Sequence, residues 1–305
     1  MADSYKIGIE IEILLTPNSH APLSVEAFAQ TLVSKYHEFP SRIHSIHCDL
    51  DLLPYDGPNS LSEWSIVEDC SLDTDNSQQS AFELTSPVME YSRPTWKTSE
   101  AAWTLEDLKR ISRAIIYFES SIELVVPEHR RGSIWGKNNR SDNYQLEGLS
   151  DVQAYSRVDA CTTNEELVQL MNCGSNRNYG WNFTGLLDGD NFTIEFRRGP
   201  GLTREIDAFR WVEFVVRFVN SARKTGNQGP LTTYRRDVSG LRNFLSAHAT
   251  PGGYAELVDP FFAGKTVFLE PRKVGQLTAI QTAKVMAKNA EKDRRNLIWK
   301  KWMGA

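Results

Sequence analysis

The chain has only four cysteines, Cys48, Cys70, Cys161 and Cys173, and no two form a C-x-x-C pair. That argues against a disulfide framework and fits reduced thiols in a cytoplasmic protein. No apolar run approaches the ~18 residues of a membrane span. The opening MADSYKIGIE lacks the basic and apolar regions of a secretory signal. The G-x-x-x-x-G-K-[ST] loop, the G-x-G-x-x-G fingerprint and the G-x-S-x-G elbow are all missing. A nucleotide bound here would therefore be held by metal and arginine, not by a glycine cradle.

What is present belongs to a folded chain. Of 305 residues, 40% are hydrophobic and 24% charged, which excludes disordered and collagen-like classes. The net charge of −5 hides an asymmetry. Residues Lys273–Ala305 hold eight basic and two acidic side chains, a local +6 that leaves −11 on the remaining 272 residues. An acidic body with a basic end does not spread positive charge over one face, so nucleic-acid binding is not expected. No membrane association is expected either.

Periodicity places the elements. Lys6–Leu15 alternates, with Ile7, Ile9, Ile11 and Ile13 on one face and Gly8, Glu10 and Glu12 on the other, as in a half-buried strand. Further strands are expected at Arg42–Cys48, Glu63–Glu68 and Phe82–Thr85. Ser24 caps a predicted helix to about Glu38. Thr104 with Asp107, and Thr163 with Glu166, have the spacing of capping boxes before two more helices. Strands Trp181–Leu187 and Phe192–Arg197 flank the turn Asp188-Gly189-Asp190-Asn191. A helix follows over Thr203–Ala222. Arg223–Asp237 and Ala249–Arg272 read as loops around a short helix. A C-terminal helix bearing Ile280, Met286, Ala287, Ala290, Ile298, Trp299 and Trp302 is expected to pack back on the body.

The informative feature is acid on strands. Glu10 and Glu12, Glu83, and Glu195 with Arg197 all fall on polar strand faces. Glu is depleted in strands, and like charges at cross-strand distance repel. A hard divalent cation, Mg²⁺ or Mn²⁺, would remove the conflict. Arg197, with Arg198 beside it, adds a fork suited to phosphate or carboxylate. The alternative is that these are solvated faces of edge strands. His44 and His47, with Cys48, are not expected to join in a metal site, because strand positions three apart face opposite ways. His129 reads as a surface group after a helix end.

Six segments in order resemble the amidoligase family, distant relatives of glutamine synthetase and glutamate–cysteine ligase. They are Gly8–Glu12, Trp64–Leu72, Phe82–Val88, Trp103–Leu108, Arg177–Asn182 and Thr193–Arg197. Together they run from about Tyr5 to Ala222. The resemblance implies an α+β fold, a curved antiparallel sheet with an acidic face flanked by helices, like the glutamine synthetase catalytic domain. It implies an ATP- and Mg²⁺-dependent ligase that joins a small-molecule or peptide carboxylate to an amine through an acyl phosphate. Glu10, Glu12, Glu83 and Glu195 would be metal ligands. Asp69 and Ser71 would face substrate, Glu195 and Arg197 would act in catalysis, and Arg197 would meet the nucleotide. Alternation points the neighbouring Arg198 with the apolar Ile194 and Phe196, so it would join Arg197 on the nucleotide only if the Gly199-Pro200-Gly201 turn re-aims it.

One departure stands out. Family members carry a Cys-Gly-x-His-Val-His strand between the Ser-Pro strand and the Trp-Thr-Leu-Glu-Asp helix, and here only Met89–Ala102 intervenes, without a histidine. Fourteen residues are expected to form a connecting loop, leaving the sheet one strand short. The strand has been lost, or the sequence lacks a coding segment. Either way the alternative function is a catalytically impaired relative acting as a binding or scaffold module. The expected organisation is an amidoligase-like domain over 1–222 and a helical extension over 223–305 packed on it.

Overall fold

The structure, a computed structural model, describes residues 5–17, 24–39, 44–50, 62–69, 72, 79–91, 103–187, 193–202, 204–228, 230–247, 255–265, 267–287 and 289–290. The chain is α+β and divides into two compact units, Met1–Ser99 with Leu277–Ala305, and Glu100–Gln276. The boundary expected at 222/223 falls inside a long helix of the second unit.

In the first unit the expected single strand over Lys6–Leu15 is two, β1 (Tyr5–Ile7) and β2 (Glu10–Leu15). After α1 (Val25–Glu38) come β3 (Ile46–Cys48), β4 (Trp64–Glu68), β5 (Ser80–Thr85) and β6 (Met89–Tyr91). Strand β1 pairs with β6 (Ile7 opposite Met89), and β2 pairs with β5 (Glu10 opposite Thr85). Two residues, Gly8 and Ile9, therefore face the three of Ser86-Pro87-Val88. Proline has no N–H to give a ladder, so the pairing breaks there and resumes beyond it. Ser86 closes the gap: its Oγ accepts from Ile9 N, and its N–H donates to Ile9 O, both at 2.9 Å. The expected loop over Met89–Ala102 is thus corrected at its start, where Met89–Tyr91 form a strand; 92–102 lie outside the described residues.

The main sheet has the order β2-β5-β4-β3. It is mixed rather than wholly antiparallel, because β3 runs parallel to β4. One face carries Ile13, Leu15, Trp64, Ile66, Phe82 and Leu84, with Ile46 and Cys48 from β3. Against it lies α1, through Val25, Phe28, Ala29, Leu32, Val33 and Tyr36. That spacing of three and four is the apolar stripe of one helix face. Ser24 starts the helix, its Oγ accepting from Ala27 N at 3.2 Å. At the centre Phe82 is fully buried and meets Phe28 edge-on, ring centroids 5.7 Å apart.

The second unit is built on α2 (Leu105–Val125), with α3 (Asp151–Ala160), α4 (Asn164–Met171), the short strands β7 (Trp181–Asn182) and β8 (Glu195–Phe196), and helices α5 (Glu205–Gln228), α6 (Val238–Ser246) and α7 (Ala255–Val258). Thr104, Ser150 and Thr163 cap α2, α3 and α4. The Ser150–Gln153 capping box was a readable signal for α3. Strands β7 and β8 are shorter than expected, because Thr184–Leu186 turn helically; the Asp188–Asn191 turn lies outside the described residues. Phe118, Phe218 and Phe244 form an aromatic centre that Trp181 and Phe214 extend. In the C-terminal segment, which belongs to the first unit, 279–287 is helical, but Ile280 and Met286 are exposed rather than packed. Ile298, Trp299 and Trp302 lie outside the described residues.

Truncating Phe82 tests the first unit's core. Phe82→Ala should cost about 3–5 kcal/mol in urea unfolding. A loss below about 1 kcal/mol would mean that α1 does not cover this face.

Candidate metal centre

Because the apolar residues of β2, β4 and β5 turn toward α1, the alternate residues share the opposite face. Register sets their order: Glu10–Thr85–Ser65 form one row, and Glu12–Glu83–Val67 the next. Asp69 N donates to Ala81 O at 3.0 Å, which extends β4 by one residue and brings its side chain up beside that second row. Carboxylate oxygens of Glu12, Asp69 and Glu83 lie within 4.8 Å of one another. Glu12 is exposed, whereas Asp69 and Glu83 are only 3% and 9% exposed. Thr85 Oγ1 donates to Glu83 Oε1 at 3.4 Å.

This donor set fits a hard divalent ion. Oxygens on opposite sides of an ion stand at twice the metal–oxygen distance, about 4.2 Å for Mg²⁺ and about 4.8 Å for Ca²⁺. Three carboxylates, two of them withdrawn from water, match that spacing and carry the charge to hold it. The converging set differs from the expected one. Asp69, assigned to substrate from the resemblance, is a member, while Glu10 sits one row away on the same face. Ser71 lies outside the described residues.

His47 also belongs to this face. It is opposite Ser65, while Ile46 and Cys48 point into the core. It is buried, its Nδ1 is 3.8 Å from Glu63 Oε2, and desolvation lowers its pKa against the opposing pull of Glu63 and Asp49. His44 is exposed and lies outside β3, in the bend that precedes it. His129 is exposed in the turn Glu128–Arg130.

Glu195, Arg197 and Arg198 lie in the second unit. Glu195 stands opposite Asn182, whose Nδ2 donates to Glu195 Oε2 at 2.9 Å. Arg197 N donates to Gly180 O at 2.8 Å, continuing the ladder past β8. Its guanidinium meets Glu195 at 2.5 Å, donates from Nε to Trp135 O at 3.2 Å, and is largely buried. Arg198 points the other way. It is buried, crosses the open α-carbon of Gly180, and pairs with Glu123, a fully buried residue of α2. A β-carbon on residue 180 would come 2.5 Å from Arg198 Cδ, so glycine is required there.

No family profile, curated protein or solved structure matches this chain.

Two outcomes follow from these geometries. Glu12→Gln should stabilise the metal-free protein slightly, by at most about 1 kcal/mol, since it removes a like charge directly opposite Glu83. The same change should weaken Mn²⁺ binding measured by calorimetry. Destabilisation without metal would show that Glu12 is not repelled. In the second unit, Arg198→Met should cost about 3–5 kcal/mol in urea unfolding, because it strands the Glu123 carboxylate in the interior. A cost no larger than that of an exposed substitution would refute the buried pair.

Proposed function

We propose that this protein is an ATP- and Mg²⁺-dependent carboxylate–amine ligase of the amidoligase type, working in the cytoplasm. The observation that carries the reading is the convergence of Glu12, Asp69 and Glu83 on the face of the main sheet opposite α1. These three would hold Mg²⁺, with water and phosphate oxygens completing its shell. Held there, the ion would supply charge neutralisation for phosphoryl transfer from ATP to a carboxylate. Attack by an amine or ammonia on the acyl phosphate then forms the amide and releases phosphate. Glu10, on the same face, would hold water or the ion's outer shell. The resemblance assigns Glu195 to the metal and Arg197 to phosphate, and a planar fork suits that task. Ser71 would accompany substrate, and a cytoplasmic setting suits the reduced cysteines.

A second reading is a binding or scaffold module that retains the acidic face without turnover. The brevity of Met89–Ala102, where the family carries a histidine-bearing strand, favours it.

One measurement series separates them. Mg²⁺–ATP should raise the melting temperature of the wild type, and the shift should vanish in Glu83→Gln and Asp69→Asn. Adding panels of carboxylates and amines should then release ADP. A shift without ADP release selects the binding module. No shift in the wild type defeats both readings.

A further inference from the structure

A cleft of about 330 Å³ opens within the second unit between α2, residues 140–141 and residues 268–271. Its walls are fixed by the chain itself. Glu119 of α2 accepts from the N–H groups of Arg140 (2.7 Å) and Ser141 (3.1 Å) and from the Ser141 hydroxyl, which pins one wall. The opposite rim is tied to α2 on both sides of Glu270 and Pro271: Leu269 N donates to Ser120 O at 3.2 Å, and Arg272 N to Glu123 Oε1 at 3.0 Å.

Most charges around the cleft are already matched. Glu119 has the three donors above. Arg140 bonds Asp151 Oδ1 at 2.7 Å and Leu149 O at 2.6 Å. Two groups are different. Arg236 uses Nη1 alone on the Asp151 carboxylate, at 2.8 and 2.9 Å, while its plane stands over the Tyr117 ring at 5.6 Å. Its Nε and Nη2 make no hydrogen bond among the described residues, so a guanidinium held from two sides offers the rest of its fork. Glu270 makes no hydrogen bond or ion pair among the described residues and lies on the rim. Phe268, half exposed, and Pro271 line the same cleft and present apolar surface.

A site with one available cationic fork, one available carboxylate and an apolar wall is complementary to a small molecule carrying both charges and an uncharged tail. We propose that this cleft binds a zwitterionic α-amino acid with an uncharged side chain, its carboxylate on Arg236 and its ammonium on Glu270. A charged side chain would find no partner, since Glu119 and Arg140 are occupied. The volume, at the small end for ligand sites, suits one amino acid better than a nucleotide. The inference does not depend on the metal reading of the first unit.

Calorimetry with three ligands of one shape tests it: L-leucine, 4-methylpentanoate, which lacks the ammonium, and 3-methylbutylamine, which lacks the carboxylate. Leucine should bind the full-length protein, and each single-charge analogue should bind at least about tenfold more weakly, the scale of one lost charge-assisted bond. Glu270→Gln, at an exposed rim position, should leave the fold intact and remove the preference for leucine over 4-methylpentanoate. Arg236→Gln should remove the preference over the amine, with folding checked by circular dichroism. If Arg236→Gln does not fold, the Glu270→Gln result alone decides. Absence of leucine binding by the wild type overturns the proposal. So does equal binding of the three ligands, or an unchanged preference in Glu270→Gln.

Discussion

The pairing of Ile13 with Phe82 forces Glu12 against Glu83. In a two-residue period, seating one row on α1 commits the next row to the opposite face, and a one-residue slip would exchange them. The apolar row gains burial against Phe28 and its neighbours, with Phe82 wholly inside. The acidic row cannot escape without giving up that burial. Removing a side chain of this size from such a core costs several times the repulsion between two facing carboxylates. The core therefore fixes where the acids stand, and the acidic face is a consequence of the same register that stabilises the unit.

The second unit depends on a comparable commitment along α2. This helix buries Glu119 and Glu123 with its aromatic and aliphatic residues, and isolated charges there would be costly. Each carboxylate organises chain from elsewhere. Glu119 binds the 140–141 backbone; Glu123 binds Arg198 beyond β8 and the Arg272 N–H. Desolvation raises the Glu119 pKa, and the Ser141 hydroxyl, neighbouring N–H groups and Arg198 work against that rise. Two carboxylates one helical turn apart thus tie α2 to segments distant from one another in sequence, and the cleft that Arg236 and Glu270 line lies along the same helix.

Much of this was legible in the residues, and what was not has physical causes. Caps at Ser24, Thr104 and Thr163 are local chemistry, so the helices they start were found at the right places. The acids on β2 and β5 were visible through alternation. The membership of Asp69 was not, because it depends on β4 pairing with β5 in one register, two segments more than ten residues apart in sequence, and no short-range pattern specifies that. The spacing of His44 and His47 argues against a shared metal site, yet His47 lies on the acidic face once β3 is placed beside β4. The break between β1 and β2 follows from Pro87, eighty residues distant, which a single-strand reading of Lys6–Leu15 could not feel. The family resemblance supplied order of motifs; it did not supply register.

Burial separates the two accounts of the acidic face. Solvated edge carboxylates need no ion, and Glu12, exposed on β2 at the edge of the main sheet, fits that description by itself. Glu83 does not, because β5 lies between β2 and β4 and its side chain is almost withdrawn from water. Asp69 is more deeply buried still. Bringing two desolvated carboxylates together with a third is unfavourable on solvation and on Coulomb grounds alike. A divalent cation at the centre would offset both costs, since its attraction to the three carboxylates outweighs their mutual repulsion and its coordination replaces lost water. The burial of Glu83 and Asp69 is therefore what distinguishes this face from a merely solvated edge.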